Sequence, residues 1–177
     1  LAAGKYEVIG KEIDDKYIAQ VKAQVVNQKA IDQMQDQITI IYTPLHGTGN
    51  IPVRRVLKEI GFKHVYVVPQ QELPDGEFPT VSYPNPEAAE AFALGLGMAK
   101  ELDADLVLAT DPDCDRVGIA VKAQRGDYTL LSGNETGVLL LDYICSRRAA
   151  LGLMPKNPVF MKTIVTTNMA ETIASRY

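Results

Sequence analysis

Residues 106–118 read LVLATDPDCDRVG, a short apolar run that passes directly into a loop with three aspartates. Asp111, Asp113 and Asp115 alternate along this loop, and carboxylates this close raise one another's pKa unless a cation lies among them. Such oxygen ligands are the ones that Mg²⁺ and Ca²⁺ prefer. Arg116 follows directly and offers a planar set of N–H donors suited to phosphate. The loop predicts a metal-assisted phosphate site, with the three aspartates as ligands and with Arg116 and Asp115 beside the phosphate.

Other interpretations of this loop can be compared with its spacing. An EF-hand calcium loop requires glycine at position six and glutamate at position twelve, where this chain has Arg116 and Lys122, and that excludes it. An aspartyl-nucleophile phosphatase could also place Asp111 behind a strand, but such families usually carry threonine or valine where this chain has Asp115. That interpretation stays open as a second choice. A solvated acidic turn also stays open, because Asp and Pro are common in loops.

The composition limits the class of protein. The chain has 177 residues, of which 23% are charged, and a net charge of −4, so it has no basic footprint for nucleic acid. It has no apolar run of membrane-spanning length and no signal-like segment. Cys114 and Cys145 fit no metal-ligand spacing and favour a reducing compartment. We therefore expect a soluble, cytoplasmic protein without a nucleic-acid or membrane partner, in which Cys114 is a bystander to the metal.

Strand and helix patterns alternate along the middle of the chain. Residues 38–42 are rich in β-branched residues and predict a buried strand, which a glycine-containing loop and a helix ending before Gly61 follow. Residues 65–68 and 105–109 predict two more strands, the second of which leads into the acidic loop. This alternation predicts a three-layer α/β/α fold with a mostly parallel mixed sheet. Residues 117–121 would add an antiparallel strand, because the connection is too short for a crossover.

The remaining segments carry weaker patterns. The prolines between positions 69 and 86 predict a stiff loop without a regular element. The spacing from Ser132 to Glu135 predicts a capped helix. We further expect an extended segment at 6–9, one helix capped by Asp14 or Asp15 and running to about Ile31, a helix over 87–102, a hairpin turn over 122–131, a strand over 159–165 and a helix from Asn168.

Two other segments carry residues that could bind a ligand, but a structural role is favoured for both. The segment Gly47-Thr48-Gly49 begins like a dinucleotide fingerprint, but Pro52 occupies the third glycine position and no P-loop lysine follows. A tight turn without a ligand is therefore favoured, with a structural role for His46. Lys162 is interpreted as a lysine at the end of a strand rather than as a phosphate ligand.

Several segments, in order, resemble the alpha-D-phosphohexomutases, the phosphoglucomutase and phosphomannomutase family. Residues 111–116 resemble its metal-binding loop, 43–49 the segment that opens its second domain, and 131–137 and 162–167 the start of its third. Residues 78–87 resemble a segment of the branch that includes phosphopentomutases. The resemblance implies that residues 1–131 form domain II and residues 132–177 the first part of domain III. Because the chain starts at Leu1 and stops inside a helix pattern, we expect it to be part of a longer protein.

The resemblance also implies a mechanism and its partners. In this family a phosphoserine passes its phosphoryl group to a sugar phosphate through a bisphosphate intermediate. Mg²⁺ would be held by Asp111, Asp113 and Asp115, with Arg116 beside the transferred group. Hexose phosphate, hexose bisphosphate and the missing domains I, III and IV are the expected partners. No serine here has the family's Ser-His-Asn-Pro surroundings, so we expect no catalytic residue and no mutase activity in this chain. A non-catalytic binding domain remains a further alternative.

Overall fold

The protein has an α/β fold in which one five-stranded sheet carries helices on its faces. A computed structural model describes residues 4–124 and 126–177. The strands are β1 (Thr39–Thr43), β2 (His64–Val67), β3 (Leu106–Thr110), β4 (Val117–Lys122) and β5 (Tyr128–Leu131). The helices are α1 (Gly10–Lys22), α2 (Gln28–Met34), α3 (Asn50–Ile60), α4 (Pro69–Glu72), α5 (Ala89–Glu101), α6 (Gly133–Ala150) and α7 (Met169–Ala174).

The sheet is mixed, and its strand order is β2-β1-β3-β4-β5. β1 pairs in parallel with both β2 and β3, whereas β4 is antiparallel to β3 and to β5. Four of the five strands therefore point the same way. β4 reverses because the loop before it, residues 111–116, is too short to carry a crossover connection. The predicted fold class and the antiparallel strand are both confirmed.

The main core lies between the sheet and α5. The register places Ile41 opposite Val107 and Val107 opposite Ala120, and all three are fully buried on the face that α5 covers. Gly95 allows this close packing, since a Cβ there would lie 3.0 Å from Val107 Cγ1. Tyr42, the next residue along β1, points to the opposite face because side chains alternate along a strand. Its hydroxyl lies beneath the start of α3, close to Gly49, so helices cover both faces.

Two predictions for the first forty residues are wrong. Residues 6–9 form no strand and pair with no other strand in the described parts of the chain. The single helix expected to run to Ile31 is two helices, and Asp14 and Asp15 lie inside α1 rather than at its cap. Asp15 instead forms ion pairs with Lys11 and Arg55. Asn27 starts the second helix, accepting a hydrogen bond from Ala30 N at 3.3 Å.

Three further boundaries differ from the prediction. The proline-rich segment contains one helical turn, α4, because a proline at the first helical position loses no hydrogen bond. The predicted turn over 122–131 contains a strand, β5, so the hairpin connection is confined to residues 123–127. The strand expected at 159–165 is absent from the described structure. Ile164 is 98% exposed there, and no neighbouring strand supplies the hydrogen bonds that a sheet needs.

Three further features concern the apolarity of the helices, the state of the cysteines and the start of α6. Among the described residues, no helix combines the length and the apolarity that crossing a bilayer would demand. Cys114 and Cys145 are both free thiols. The helix starting at Ser132 has the predicted capping box, in which the Ser132 and Glu135 side chains each bond the other's backbone N–H.

Gly118, in β4, packs against the proline-rich loop so closely that it tolerates no side chain. A Cβ at this position would lie 1.9 Å from the carbonyl oxygen of Pro86. We expect Gly118→Ala to lower the free energy of unfolding by about 1–3 kcal/mol, the range for overpacked sites. Urea unfolding followed by circular dichroism measures this change.

Gly97→Ala is the matched control for that substitution. Gly97 lies in α5 and is exposed, and a methyl group added to it would meet no other atom within 4 Å. Alanine there should stabilise the helix by about 0.5–1 kcal/mol. Equal effects of the two substitutions would show that the contact between Gly118 and Pro86 does not constrain the fold.

Candidate metal and phosphate site

The acidic loop lies at one edge of the sheet, where β3 ends and β4 begins. β1 runs parallel to β3, so the loop after β1, residues 44–49, reaches the same edge. Ligands of open α/β sheets usually bind outside the carboxyl ends of the strands. The topology thus brings the two loops together, although more than sixty residues separate them in the sequence.

The three aspartates form one cluster that could hold a metal ion. One carboxylate oxygen from each of Asp111, Asp113 and Asp115 lies within 4.8 Å of the other two. Mg²⁺ binds oxygen at about 2.0–2.1 Å in octahedral geometry, so its ligand oxygens lie about 2.9–4.2 Å apart. An upper limit of 4.8 Å is compatible with this spacing, and the all-oxygen donor set fits the ion.

Asp111 is buried and is held by Arg116. The backbone N–H of Arg116 donates to Asp111 Oδ1 at 2.9 Å, and Arg116 Nε donates to Oδ2 at 2.7 Å. Burial by itself raises the pKa of Asp111, but these two hydrogen bonds outweigh it, and the pKa is lowered. The pKa of Arg116 is raised, first by Asp111 and then by Tyr83. Asp111 is therefore a carboxylate at neutral pH, with its charge balanced by Arg116.

The other two aspartates face solvent and repel each other. The side chain of Asp115 is 73% exposed, and its Oδ1 lies 3.8 Å from Arg116 Nε. The charges of Asp113 and then Asp111 raise the pKa of Asp115. One arginine therefore leaves part of the negative charge of the cluster uncompensated. A cation bound between the exposed carboxylates would remove that repulsion.

Cys114 points away from the carboxylates. Its backbone has a positive φ of 64°, and its side chain lines an apolar cavity of about 160 Å³ between α1 and α3. Burial raises the pKa of the thiol. A half-buried thiol that faces α1 and α3 is not placed to join the carboxylates as a ligand, which agrees with its interpretation as a bystander.

The glycine loop after β1 supports the acidic loop directly, a contact that the sequence did not reveal. Thr48 donates twice to the carbonyl of Pro112, from its backbone N–H at 2.8 Å and from its hydroxyl at 3.1 Å. A Cβ on Gly47 would lie 2.4 Å from Pro112 Cα. Gly47 is thus required for the close approach of two backbones, in addition to forming the turn predicted from the sequence.

His46 and Gln71 anchor the same loop from behind. Both ring nitrogens of His46 are hydrogen bonded, Nδ1 with Leu73 O at 3.0 Å and Nε2 with Thr80 Oγ1 at 2.9 Å. Gln71 is fully buried and accepts from Thr43 Oγ1 at 2.7 Å. These bonds give His46 the structural role expected of it. Gln71 carried no sequence signal, because only the fold brings it beneath β1.

The proline-rich loop covers the other side of Arg116. Arg116 Nη1 donates to Asn85 Oδ1 at 3.5 Å, and Asn85 Oδ1 also accepts from Glu87 N at 3.0 Å. The end of the loop is fixed at Pro86 by its contact with Gly118. The acidic loop is therefore supported by the glycine loop and by the proline-rich loop.

Lys162 is outside this arrangement. Its ammonium group pairs with Glu171 at 3.1 Å and donates to Asn168 Oδ1 at 3.2 Å. The side chain lines a cavity of about 810 Å³ beside the first turn of α6. The expectation that Lys162 ends a strand is wrong, because that segment forms none, and its partners here are those of a structural ion pair.

Comparison with known proteins decides the family. The family model described as phosphoglucomutase/phosphomannomutase, alpha/beta/alpha domain II, matches residues 15–126. The chain belongs to the phosphoglucomutase/phosphomannomutase family. The residues matched to this phosphohexomutase domain include the four strands from β1 to β4 and the whole acidic loop.

Individual relatives agree with this assignment. A phosphoglucomutase of Staphylococcus saprophyticus is 35% identical over 173 residues, which cover 97% of this chain and 30% of that protein. A phosphoribomutase of Saccharomyces cerevisiae is 36% identical over 149 residues, covering 81% of this chain and 24% of that protein. The chain thus spans less than a third of the length of either phosphohexomutase relative.

A solved structure supports the fold. The structure of a putative phosphomannomutase from Thermus thermophilus matches with a TM-score of 0.58 and 21% sequence identity. The match covers 77% of this chain and 29% of that one. At this identity the likeness concerns the arrangement of strands and helices in the phosphohexomutase domain.

Replacing the buried carboxylate of this phosphohexomutase domain should destabilise it. Asn at position 111 can accept only one of the two hydrogen bonds from Arg116 and turns an amide NH₂ toward the other donor. We expect Asp111→Asn to lower the free energy of unfolding at neutral pH by about 1–3 kcal/mol. Urea unfolding without divalent cations measures the loss.

The pH dependence of this loss has a defined sign. Because the folded-state pKa of Asp111 is lowered, the stabilisation is present above the unfolded-state pKa and disappears as the pH falls through the folded-state pKa. The stabilities of the wild-type protein and Asp111→Asn should therefore converge in acid. A difference that stays constant down to about pH 2, below the usual pKa range of a carboxyl group, would contradict the role of the Arg116–Asp111 pair.

Proposed function

We propose that this chain supplies the Mg²⁺-binding domain of a phosphohexomutase. That enzyme would move a phosphoryl group between C1 and C6 of a hexose phosphate through a phosphoserine and a hexose bisphosphate intermediate. The observation that carries the proposal is the carboxylate cluster with Arg116, which lies at the ligand-binding edge of the sheet inside the region matched to the family. A phosphoryl-transfer enzyme needs fixed positive charge where charge develops.

The residues of the acidic loop would have different roles in binding the metal ion and the phosphate. Asp111, Asp113 and Asp115 would hold Mg²⁺ through one oxygen each, and the bound ion would supply charge neutralisation at the phosphoryl group. Arg116 uses Nε on Asp111 and one N–H of Nη1 on Asn85, so the remaining terminal N–H groups would bind and orient phosphate oxygens. Asp115 lies beside that position, which supports its role in orienting the phosphate-binding end of the site.

The nucleophile would come from elsewhere in the polypeptide. The four serines of the chain have structural hydrogen bonds: Ser82 to Glu90, Ser132 to Glu135, Ser146 to Tyr143 and Ser175 to Glu171. We therefore assign no catalytic residue to the chain. Residues 1–131 would form domain II and residues 132–177 the start of domain III. This division is supported by the end of the family match at residue 126 and by the capped start of α6.

The proposed partners follow from the same assignment. They are hexose phosphate, hexose bisphosphate and domains I, III and IV of the same polypeptide, in the cytoplasm, without nucleic acid or membrane. The relatives described above are named phosphoglucomutase and phosphoribomutase. The alternative of an aspartyl nucleophile is disfavoured, because Asp111 is buried and its charge is paired with Arg116, which lowers the reactivity of its oxygens as nucleophiles.

Divalent cations should bind the cluster and stabilise the chain. At a free Mg²⁺ concentration about ten times the Kd, mass action adds about 1.4 kcal/mol to the free energy of unfolding, which a thermal-shift titration detects. We expect Asp113→Asn to weaken Mg²⁺ binding at least tenfold, since it removes one of three ligands. Asp14→Asn, an exposed aspartate on α1, should respond like the wild-type protein. A wild-type protein that gives no Mg²⁺-dependent shift would refute the metal site.

The purified chain should not convert glucose 1-phosphate to glucose 6-phosphate. Phosphoryl transfer requires a phosphoserine, and neither Mg²⁺ nor Arg116 can supply the covalent step. A coupled assay with glucose 6-phosphate dehydrogenase, in the presence of glucose 1,6-bisphosphate and Mg²⁺, measures the turnover. Activity above that of heat-inactivated protein would overturn this prediction.

A further inference from the structure

The proline-rich loop forms a fixed support beside Arg116. Asn85 lies between Pro84 and Pro86, whose rings restrict the backbone. Its backbone N–H donates to Tyr83 O at 2.8 Å, and its carbonyl accepts from Ala88 N at 3.0 Å. This one residue is therefore held by its own backbone hydrogen bonds and by the two prolines.

The loop is also fixed to its surroundings. Ser82 donates from its backbone and its hydroxyl to the two carboxylate oxygens of Glu90 in α5, at 2.8 and 2.6 Å. The carbonyl of Pro86 packs against Gly118, two residues after Arg116. The proline-rich loop is therefore held against β4, which begins directly after Arg116.

We propose that Asn85 is a positioning residue that sets the orientation of the Arg116 guanidinium for binding phosphate, a proposal that rests on the phosphate-binding role of Arg116 given above. Arg116 Nε donates to Asp111 Oδ2 at 2.7 Å, and Nη1 donates to Asn85 Oδ1 across a longer 3.5 Å. Two contacts on different nitrogens define the plane of the guanidinium, whereas one leaves it free to rotate. The remaining N–H groups then have a fixed direction at the exposed end of the side chain.

The chemistry of an amide suits this position. The Asn85 oxygen is neutral, so it orients the guanidinium without cancelling its positive charge. The same oxygen accepts from Glu87 N, which locks the Asn85 side chain in a tight turn of the loop. A carboxylate at this position would preserve the turn but would pair with Arg116 and compete with phosphate.

The test follows the Nε–Hε resonance of Arg116 by nuclear magnetic resonance in the 177-residue chain, with inorganic phosphate as the probe. The resonance is assigned by its loss in Arg116→Lys, and Arg54 on α3 is the internal reference. We expect Asn85→Ala to increase the nanosecond mobility of the Arg116 side chain and to raise the Kd for phosphate roughly three- to tenfold, the effect of one lost hydrogen bond.

Asn85→Asp separates positioning of the guanidinium from support of the turn. The aspartate keeps the hydrogen bond to Glu87 N, so a role confined to the turn predicts wild-type phosphate binding. We expect instead that phosphate affinity falls at least as far as in Asn85→Ala while Arg116 stays immobile. Asp75→Ala is the control, because Asp75 forms the same kind of turn with Glu77 N at 3.0 Å in the same loop and should leave Arg116 unchanged.

The outcomes separate this proposal from the metal site. Unchanged Arg116 mobility in Asn85→Ala, or wild-type phosphate binding by Asn85→Asp, would overturn the role of Asn85. If Asn85→Ala does not fold, the phosphate affinity of Asn85→Asp tests the role of Asn85. If the wild-type chain binds no phosphate, the mobility of Arg116 in Asn85→Ala tests it. Binding of Mn²⁺, measured by electron paramagnetic resonance, should stay within about twofold in both variants, because neither removes a metal ligand. Failure of the wild-type protein to bind Mn²⁺ would refute the metal site, but it would not affect the mobility test of Asn85.

Discussion

The paired hydrogen bonds between Asp111 and Arg116 hold the site together. A carboxylate buried at the end of β3 would be costly without a partner, and Arg116 neutralises it from both its backbone and its side chain. This pair closes the loop between β3 and β4, residues 111–116, into a compact turn. The same turn forces β4 to run antiparallel and brings Asp113 and Asp115 to the exposed side. The short connection sets the direction of β4, and the Asp111–Arg116 pair fixes the conformation of the loop that presents Asp113 and Asp115.

The other loops act on this turn through backbone contacts. Gly47 and Gly118 both lie where a side chain would collide with a neighbouring backbone, at Pro112 and Pro86 respectively. Thr48 bonds the carbonyl of Pro112, so the glycine loop holds the middle of the acidic turn. Contacts of this kind depend on small residues and on strand order rather than on charged side chains. They give the carboxylates a rigid frame despite their exposure to water.

The sequence predicted those parts of the fold that local patterns encode. The β-branched run of β1, the Gly61 helix stop and the capping box at Ser132 are local signals, and each is confirmed. The break between α1 and α2 was missed, because Asn27 caps a helix whose contact with the end of α3, from Gln28 to the carbonyl of Ile60, is not visible in the sequence. The predicted strand over 159–165 is absent, because a strand exists only when another strand pairs with it.

The site likewise combines features that local sequence patterns encode with features that only the fold creates. The acidic residue types and their alternation are local, so the cluster of Asp111, Asp113 and Asp115 could be inferred from spacing, whereas Gln71 and Asn85 contribute through contacts across the fold.

The electrostatic repulsion around Asp115 also affects how strongly the cluster would bind a cation. A cluster that paired all its charges internally would bind a cation weakly, because ion binding would gain nothing. With one arginine to three carboxylates, the domain accepts unfavourable charge on its exposed side, and that cost would favour a divalent cation at the position where the proposed function needs one.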